Sequence, residues 1–187
     1  MKKAPKIIIT VLVVLGLGWL FFGPAKQIGY APDQPFAYSH LTHAGKYQID
    51  CQYCHSTVSY SKSAGIPGVN VCMNCHRAVL GLSGTAKKDA NKRIMDLYSN
   101  YWEKKKAPEW VRIHNMPDHV RFSHAPHIKA LLKPGQESKT ACIRCHGDVA
   151  QMEVVSQVES LNMGFCLNCH REYEKDGGRT NCGACHH

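Results

Sequence analysis

Outside a single apolar run near the N-terminus, this 187-residue sequence is short of leucine, isoleucine, valine and phenylalanine. A chain of this length has room for one domain of ordinary size. The residues after that run are too thinly apolar for a fold built on a conventional side-chain core, so something else has to fill the interior. Unpaired cysteine is lacking as well: all ten cysteines fall in pairs of one spacing, with a histidine directly after each pair. That regularity excludes a disulfide framework, which would show irregular spacing and need no histidine after every second cysteine. Acidic residues are the scarcer charge, 14 Asp and Glu against 23 Lys and Arg, giving a formal charge of +9.

The five pairs read Cys51-Gln-Tyr-Cys54-His55, Cys72-Met-Asn-Cys75-His76, Cys142-Ile-Arg-Cys145-His146, Cys166-Leu-Asn-Cys169-His170 and Cys182-Gly-Ala-Cys185-His186. On a helical turn, residues at i, i+3 and i+4 share one face. Two thiols can then reach both vinyl groups of a haem while the imidazole reaches its iron from the same side. Zinc also takes Cys-x-x-Cys pairs with a nearby histidine, but five copies that all end in Cys-His point to five covalently bound c-type haems. The macrocycles are then expected to be the core, close together inside a thin protein sleeve. They also change the meaning of the charge, because propionates on five haems add roughly ten negative charges. Many of the basic side chains read as propionate and membrane-surface partners, and the basicity argues for no nucleic acid.

Lys2, Lys3 and Lys6 precede the apolar run Ile7 to Phe22, which Gly23-Pro24 closes. A positive flank, an apolar run and a proline stop describe a signal peptide or an uncleaved signal anchor. The uncharged stretch Ile7 to Ala25 is near the roughly 17–25 residues a spanning helix needs, and Trp19, Phe21 and Phe22 suit an aromatic belt. The expectation is a transmembrane anchor over 1–25 in the inner (cytoplasmic) membrane with the haem domain in the periplasm. Thioether attachment outside the cytoplasm agrees with that address. Residues 26–36 read as a linker broken by Pro32 and Pro35.

After the linker the text repeats. Tyr38-Ser39-His40-Leu-Thr-His43 precedes two haem motifs, and Phe122-Ser123-His124-Ala-Pro-His127 precedes two more. Even Cys72-Met-Asn-Cys75-His76-Arg77 recurs as Cys166-Leu-Asn-Cys169-His170-Arg171. This is a duplication, with a first unit of two haems over 37–80 and a second of three over 111–187. Between them, 81–110 carries Ile94, Leu97, Tyr98, Tyr101 and Trp102 on one helical face. Simple packing between the halves is the expected use of that face, with a haem edge or a partner subunit as the alternative. Trp102 and Trp110 are candidates for a contact surface. Short helices and loops with little sheet make up the rest.

The five histidines within the motifs are the proximal iron ligands. Seven others remain: His40, His43, His114, His119, His124, His127 and His187. The phrase around His124 and His127 resembles the opening of class III cytochromes c, small trihaem and tetrahaem electron carriers. In that family the first histidine ligates the next haem and the second a later one. The resemblance implies His124 for the Cys142/Cys145 haem, His127 for Cys166/Cys169, His40 for Cys51/Cys54 and His43 for Cys72/Cys75. The family also puts a histidine just before its penultimate motif to serve the last haem. Here the text is Asn162-Met163-Gly164-Phe165-Cys166, so Met163 is the expected sixth ligand at Cys182/Cys185, against the reading of Met163 as core filler. His114 competes with His43 for the second haem. His119 and His187 read as surface or propionate-bonding residues, and Met73 and Met116 as packing. With every iron six-coordinate, a bis-imidazole set favours transfer over catalysis at iron; no motif with lysine in place of histidine is present.

The whole arrangement, including the Met-Gly-x-Cys-x-x-Cys-His phrase at Met163, resembles the pentahaem cytochrome subunit of alternative complex III (the ActA type) and its relative in the Qrc quinone reductase complex. That resemblance implies a non-catalytic electron carrier of the respiratory chain, with an iron–sulfur protein, polytopic quinone-binding subunits and a monohaem cytochrome c or terminal oxidase as partners. The alternative is a freestanding quinol dehydrogenase like the NapC/NrfH group, which the repeats and the five-haem count fit poorly. A reductase active at one haem is the third reading.

Overall fold

The computed structural model describes residues 4–22, 28–80 and 87–186, with the side chains of those residues except 4–6, 19–22, 87–91 and 176. Secondary structure is short helices joined by loops. α1 spans Ala4–Phe22, α2 Cys51–Cys54, α3 Val69–His76, α4 Lys87–Asp96, α5 His124–Leu131, α6 Lys139–His146, α7 Met163–Glu172 and α8 Cys182–Cys185. Among the described residues there is no strand, only an isolated antiparallel bridge between Val120 and His186.

α1 carries the apolar run, and Ile7 to Leu17 stand well exposed along it. Among the described residues no helix is long and apolar enough to cross a membrane. The flanks of the expected span, 1–3 and 23–25, lie outside the described residues, as do 81–86 of the bridging segment and His187.

The expected linker is tied down from Gly29 onward. The Gly29 N–H donates to the Gln157 carbonyl at 2.7 Å, and the Gln157 N–H donates to the Tyr30 carbonyl at 3.0 Å. Gln34 makes a two-way bond with the Val111 backbone, its amide donating at 3.1 Å and accepting at 3.0 Å. The proline-rich segment therefore acts as an edge of the domain.

The bridging segment begins as α4 and loosens into π-helical turns over Leu97–Trp102, where Glu103 N–H bonds to Tyr98 O five residues back at 2.9 Å. The wider turn presents its aromatic side chains to the first unit. Tyr98 donates its hydroxyl to the His76 carbonyl at 2.7 Å, Tyr101 to the Pro35 carbonyl at 3.0 Å, and the Arg77 guanidinium lies 5.4 Å from the Trp102 ring. Phe36 packs against both Tyr101 and Trp110. Ile94 to Trp102 thus close over the second motif, with Leu97 the buried member.

The two repeats differ locally. His124 opens an α-helix, whereas Leu41–Lys46, after His40, is a π-helical turn. Gly45 there lies so close to the Ala150 carbonyl that any Cβ would collide with it. That contact docks the first unit on residues 149–157, and Leu41 N–H to Met152 O at 2.9 Å continues the seam. Ser39 donates to Glu153, which also receives Arg93 at 2.9 Å.

Side-chain packing is sparse, as the composition requires. Among the described residues the buried apolar side chains are Val58, Met73, Leu97 and Ala141, and only Met73 among them has no exposed surface. Truncating such a side chain leaves a cavity that costs about 2–5 kcal/mol. Met73→Ala is therefore expected to lower unfolding stability by that much in denaturant titration of the holoprotein. The exposed Met95→Ala is expected to leave it within about 0.5 kcal/mol.

Candidate haem-binding site

Every Cys-x-x-Cys-His motif sits on a helical turn, and two are started by capping side chains. Asp50 accepts from the Gln52 N–H at 2.8 Å and Asn162 from the Phe165 N–H at 2.8 Å, satisfying donors left free at a helix N-terminus. In α2 and α8 the histidine N–H closes the turn onto the first cysteine carbonyl, both at 2.9 Å. Both thiols and the imidazole of a motif consequently lie on one face. All ten cysteines are free thiols, and among the described residues no group of three or more His, Cys, Asp or Glu is arranged around a common metal position.

The imidazoles are held by their inner nitrogens. His55 Nδ1 pairs with the Gly65 carbonyl at 2.6 Å, His76 Nδ1 with Val79 O at 2.8 Å and His170 Nδ1 with Arg179 O at 2.6 Å. A carbonyl can only accept, so Nδ1 carries the proton and Nε2 is left with its lone pair free for a metal.

Histidines from outside the motifs face these rings. His43 lies 6.1 Å from His76, His124 6.4 Å from His146 and His127 5.9 Å from His170, centroid to centroid. Two imidazoles bound to one metal from opposite sides, with metal–nitrogen bonds of about 2.0–2.1 Å, have ring centres roughly 6 Å apart. His40 lies close enough to His55 for the two to interact electrostatically. The facing rings are also fixed at Nδ1: His43 on Ser39 O at 2.8 Å, His127 on Ser123 O at 2.7 Å and His124 on Lys62 O at 2.9 Å. His40 Nδ1 is buried without a partner.

The two aromatic-Ser-His-x-x-His phrases build the same object. Tyr38 stands edge-on to His40 at 4.8 Å and stacks on His43 at 4.6 Å; Phe122 stands edge-on to His124 at 4.8 Å and lies 4.7 Å from His127. One aromatic ring thus wedges two histidines apart so that each serves a different motif.

Burial lowers the pKa of His40 to about 4, with His55 and His43 adding to the effect. Burial likewise brings His146 to about 4, with His114, His124 and His55 contributing, and it lowers His127 and His114. These rings are neutral at neutral pH, the state in which imidazole ligates iron.

His114 is not opposite His76, where His43 stands. It sits behind the third motif, its ring 4.3 Å from His146 and its Nε2 3.2 Å from His146 Nδ1. Met163 is the first residue of α7 and 63% exposed. The ring stacked against His186 belongs to His119, at 5.4 Å and 22°. Sequence pattern carries no signal at His119, because the repeat places Pro35 at the matching position of the first unit.

The motifs are not neighbours in chain order. Cys54 lies beside Cys72 and Cys75, and Asn74 donates to the Tyr53 hydroxyl at 3.2 Å, so the second motif touches the first. The Cys51 and Cys142 thiols lie close enough to interact electrostatically, and Gln52 donates to Ser138 at 2.7 Å, so the first touches the third. Cys145 lies near Cys169 and Cys166, with Arg144 5.6 Å from the Tyr173 ring, joining third to fourth. Cys166 lies near Cys185, joining fourth to fifth. The row therefore runs second, first, third, fourth, fifth.

Paired thiols and facing imidazoles at ligand spacing fit haem c, and the short helices and loops that carry them are similar to those of multihaem cytochromes c. Residues 120–187 match the family model for cytochrome c7 and related cytochrome c. Over 95% of its length the chain is 27% identical to the menaquinone reductase multihaem cytochrome c subunit of Nitratidesulfovibrio vulgaris, covering 87% of that protein.

The bond from His146 Nδ1 to His114 gives a direct expectation. An acceptor at Nδ1 strengthens an imidazole as a donor to its metal, which favours ferric iron and lowers the potential. His114→Phe is expected to raise the midpoint potential of one haem in a redox titration while haem content stays at the wild-type value. An unchanged titration curve would show that the bond has no electronic role.

Proposed function

We propose that this chain is an electron-transfer subunit that carries five c-type haems as a wire in a membrane quinone oxidoreductase of the alternative complex III type. The observation that carries this reading is the set of histidines facing the motif histidines at 5.9–6.4 Å. Haem c supplies one-electron redox chemistry when bound. The chain's own residues do the rest. Ten cysteines would fix the macrocycles covalently, and His55, His76, His146, His170 and His186 would serve as proximal ligands. His40, His43, His124 and His127 would be the second ligands of four of the five irons, leaving no position for an exogenous substrate at those four. The subunit is therefore a carrier and not the catalytic site.

The similarity to a menaquinone reductase subunit supports a place beside quinone-binding and iron–sulfur subunits, with another cytochrome c or a terminal oxidase at the far end. Lys2, Lys3 and Lys6 followed by the apolar helix support an N-terminal anchor in the inner membrane and a periplasmic haem domain. The exposed apolar surface of α1, Ile7 to Leu17, agrees with a lipid environment or a helix of a membrane partner.

The intact mass of the native protein is expected to exceed that of the polypeptide by five haems. Solubilised in mild detergent, the cytochrome is expected to stay bound to polytopic membrane subunits and an iron–sulfur protein, identified by mass spectrometry. A cytochrome that migrates alone and still accepts electrons from quinol would instead be a freestanding quinol dehydrogenase. Carbon monoxide binding by several of the reduced haems in the intact protein would contradict a carrier with closed irons.

A further inference from the structure

We propose that His119 is the sixth ligand of the haem held by Cys182, Cys185 and His186. The proposal rests on reading the chain as a multihaem cytochrome and completes its ligand set. The His119 and His186 rings are stacked at 5.4 Å and 22°, beside 24° for His127–His170 and 10° for His124–His146. The geometry at the last motif is thus of the same kind as at the third and fourth, slightly compressed, while His43 and His76 meet more steeply at 68°.

The backbone shows that this juxtaposition is built. The Val120 N–H closes a tight turn onto the Pro117 carbonyl at 3.0 Å, and that turn carries His119 outward. Val120 then bridges His186 in antiparallel fashion, and the Arg121 N–H donates to the Cys185 carbonyl at 2.6 Å. The segment that carries His119 is therefore bonded directly to the last two residues of the fifth motif. The other described histidines outside the motifs are already engaged. His40, His43, His124 and His127 face other motifs, and His114 is bonded to His146 Nδ1.

Met163, the alternative, begins α7 and is exposed, as is His119, but it is the His119 ring that is in contact with His186. The choice has a functional consequence. A thioether raises a haem potential and a second imidazole lowers it. With His119 in place, the haem at the end of the row is of the same bis-imidazole, low-potential type as the other four, and the row has no built-in high-potential terminus.

The test uses the full-length holoprotein, with haem counted first by mass and by the pyridine haemochrome assay. The wild type is expected to show five haems and no near-infrared charge-transfer band of methionine-bound ferric haem. His119→Ala is expected to keep five haems, acquire a high-spin ferric signal from one of them, and bind one carbon monoxide per chain on reduction where the wild type binds none. Added imidazole should return that haem to low spin, and Met163→Ala should change none of these readings. Should His119→Ala fail to accumulate, His119→Met serves, since it is expected to introduce the near-infrared band that the wild type lacks. A band already present in the wild type and abolished by Met163→Ala would overturn the assignment and leave the five-haem reading standing. Fewer than five haems in the wild type would overturn that reading itself.

Discussion

The constraint on which the rest of this molecule depends is the orientation of its imidazoles. A histidine is a metal ligand only when one nitrogen is free and the ring is held still, and a hydrogen bond from the other nitrogen does both. Six of the candidate ligand histidines donate Nδ1–H to a backbone carbonyl, those of Gly65, Val79, Arg179, Ser39, Ser123 and Lys62. These carbonyls lie on loops, which explains why so much of the chain is irregular. A regular helix or strand spends its carbonyls on its own ladder, whereas a loop has carbonyls to spare. The Nδ1 atoms of His146 and His40 are held differently, one bonded to another imidazole and one buried without a partner. Those two sites have electronic surroundings unlike the rest.

A chain with so few buried apolar side chains needs other means of holding its parts in register. It uses backbone seams between the repeats. Residues 149–157, between the third and fourth motifs, bond to Gly29, Tyr30 and Leu41 of the first part of the chain. In the reverse direction, the His124 and Ala125 N–H groups donate to the Lys62 and Ser61 carbonyls after the first motif, at 3.1 and 3.2 Å. Each unit thus completes the other. Segments of the two units interlock, which is how a first-unit motif comes to lie against a second-unit motif.

How much of this was legible in the sequence depends on the distance over which the information acts. The motif turns, the cysteine pairing and the two aromatic-Ser-His-x-x-His wedges are local, so spacing alone announces them; Tyr38 and Phe122 do the same work in the same geometry. Helix type was less legible. Leu41–Lys46 and Leu97–Trp102 have ordinary helical patterning, yet each widens into π turns where tertiary contacts, Gly45 on Ala150 and Tyr98 on His76, set the winding. Least legible were the partners of His114 and His119. Neither has a counterpart in the first unit, and each finds its place only through a contact with a motif more than 30 residues away.

The order of the motifs follows from residues that the motif itself leaves free. In Cys-x-x-Cys-His the outer positions are committed to attachment and ligation, but the two inner ones point elsewhere. Gln52 reaches Ser138 of the turn that opens α6, Tyr53 meets Asn74, and Arg144 lies over Tyr173 after α7. Each of these contacts joins two motifs, and each uses at least one inner residue. The invariant part of the motif therefore fixes what is bound, and the variable part fixes which motif stands next to which. That division accounts for the order of the first four motifs, while the fifth joins the row through Cys166 and Cys185. It also puts the second and fifth motifs at the two ends of the row, where Cys75 and Cys182 are the exposed cysteines. A row with two exposed ends and a closed middle has the architecture required of a conductor between two partners.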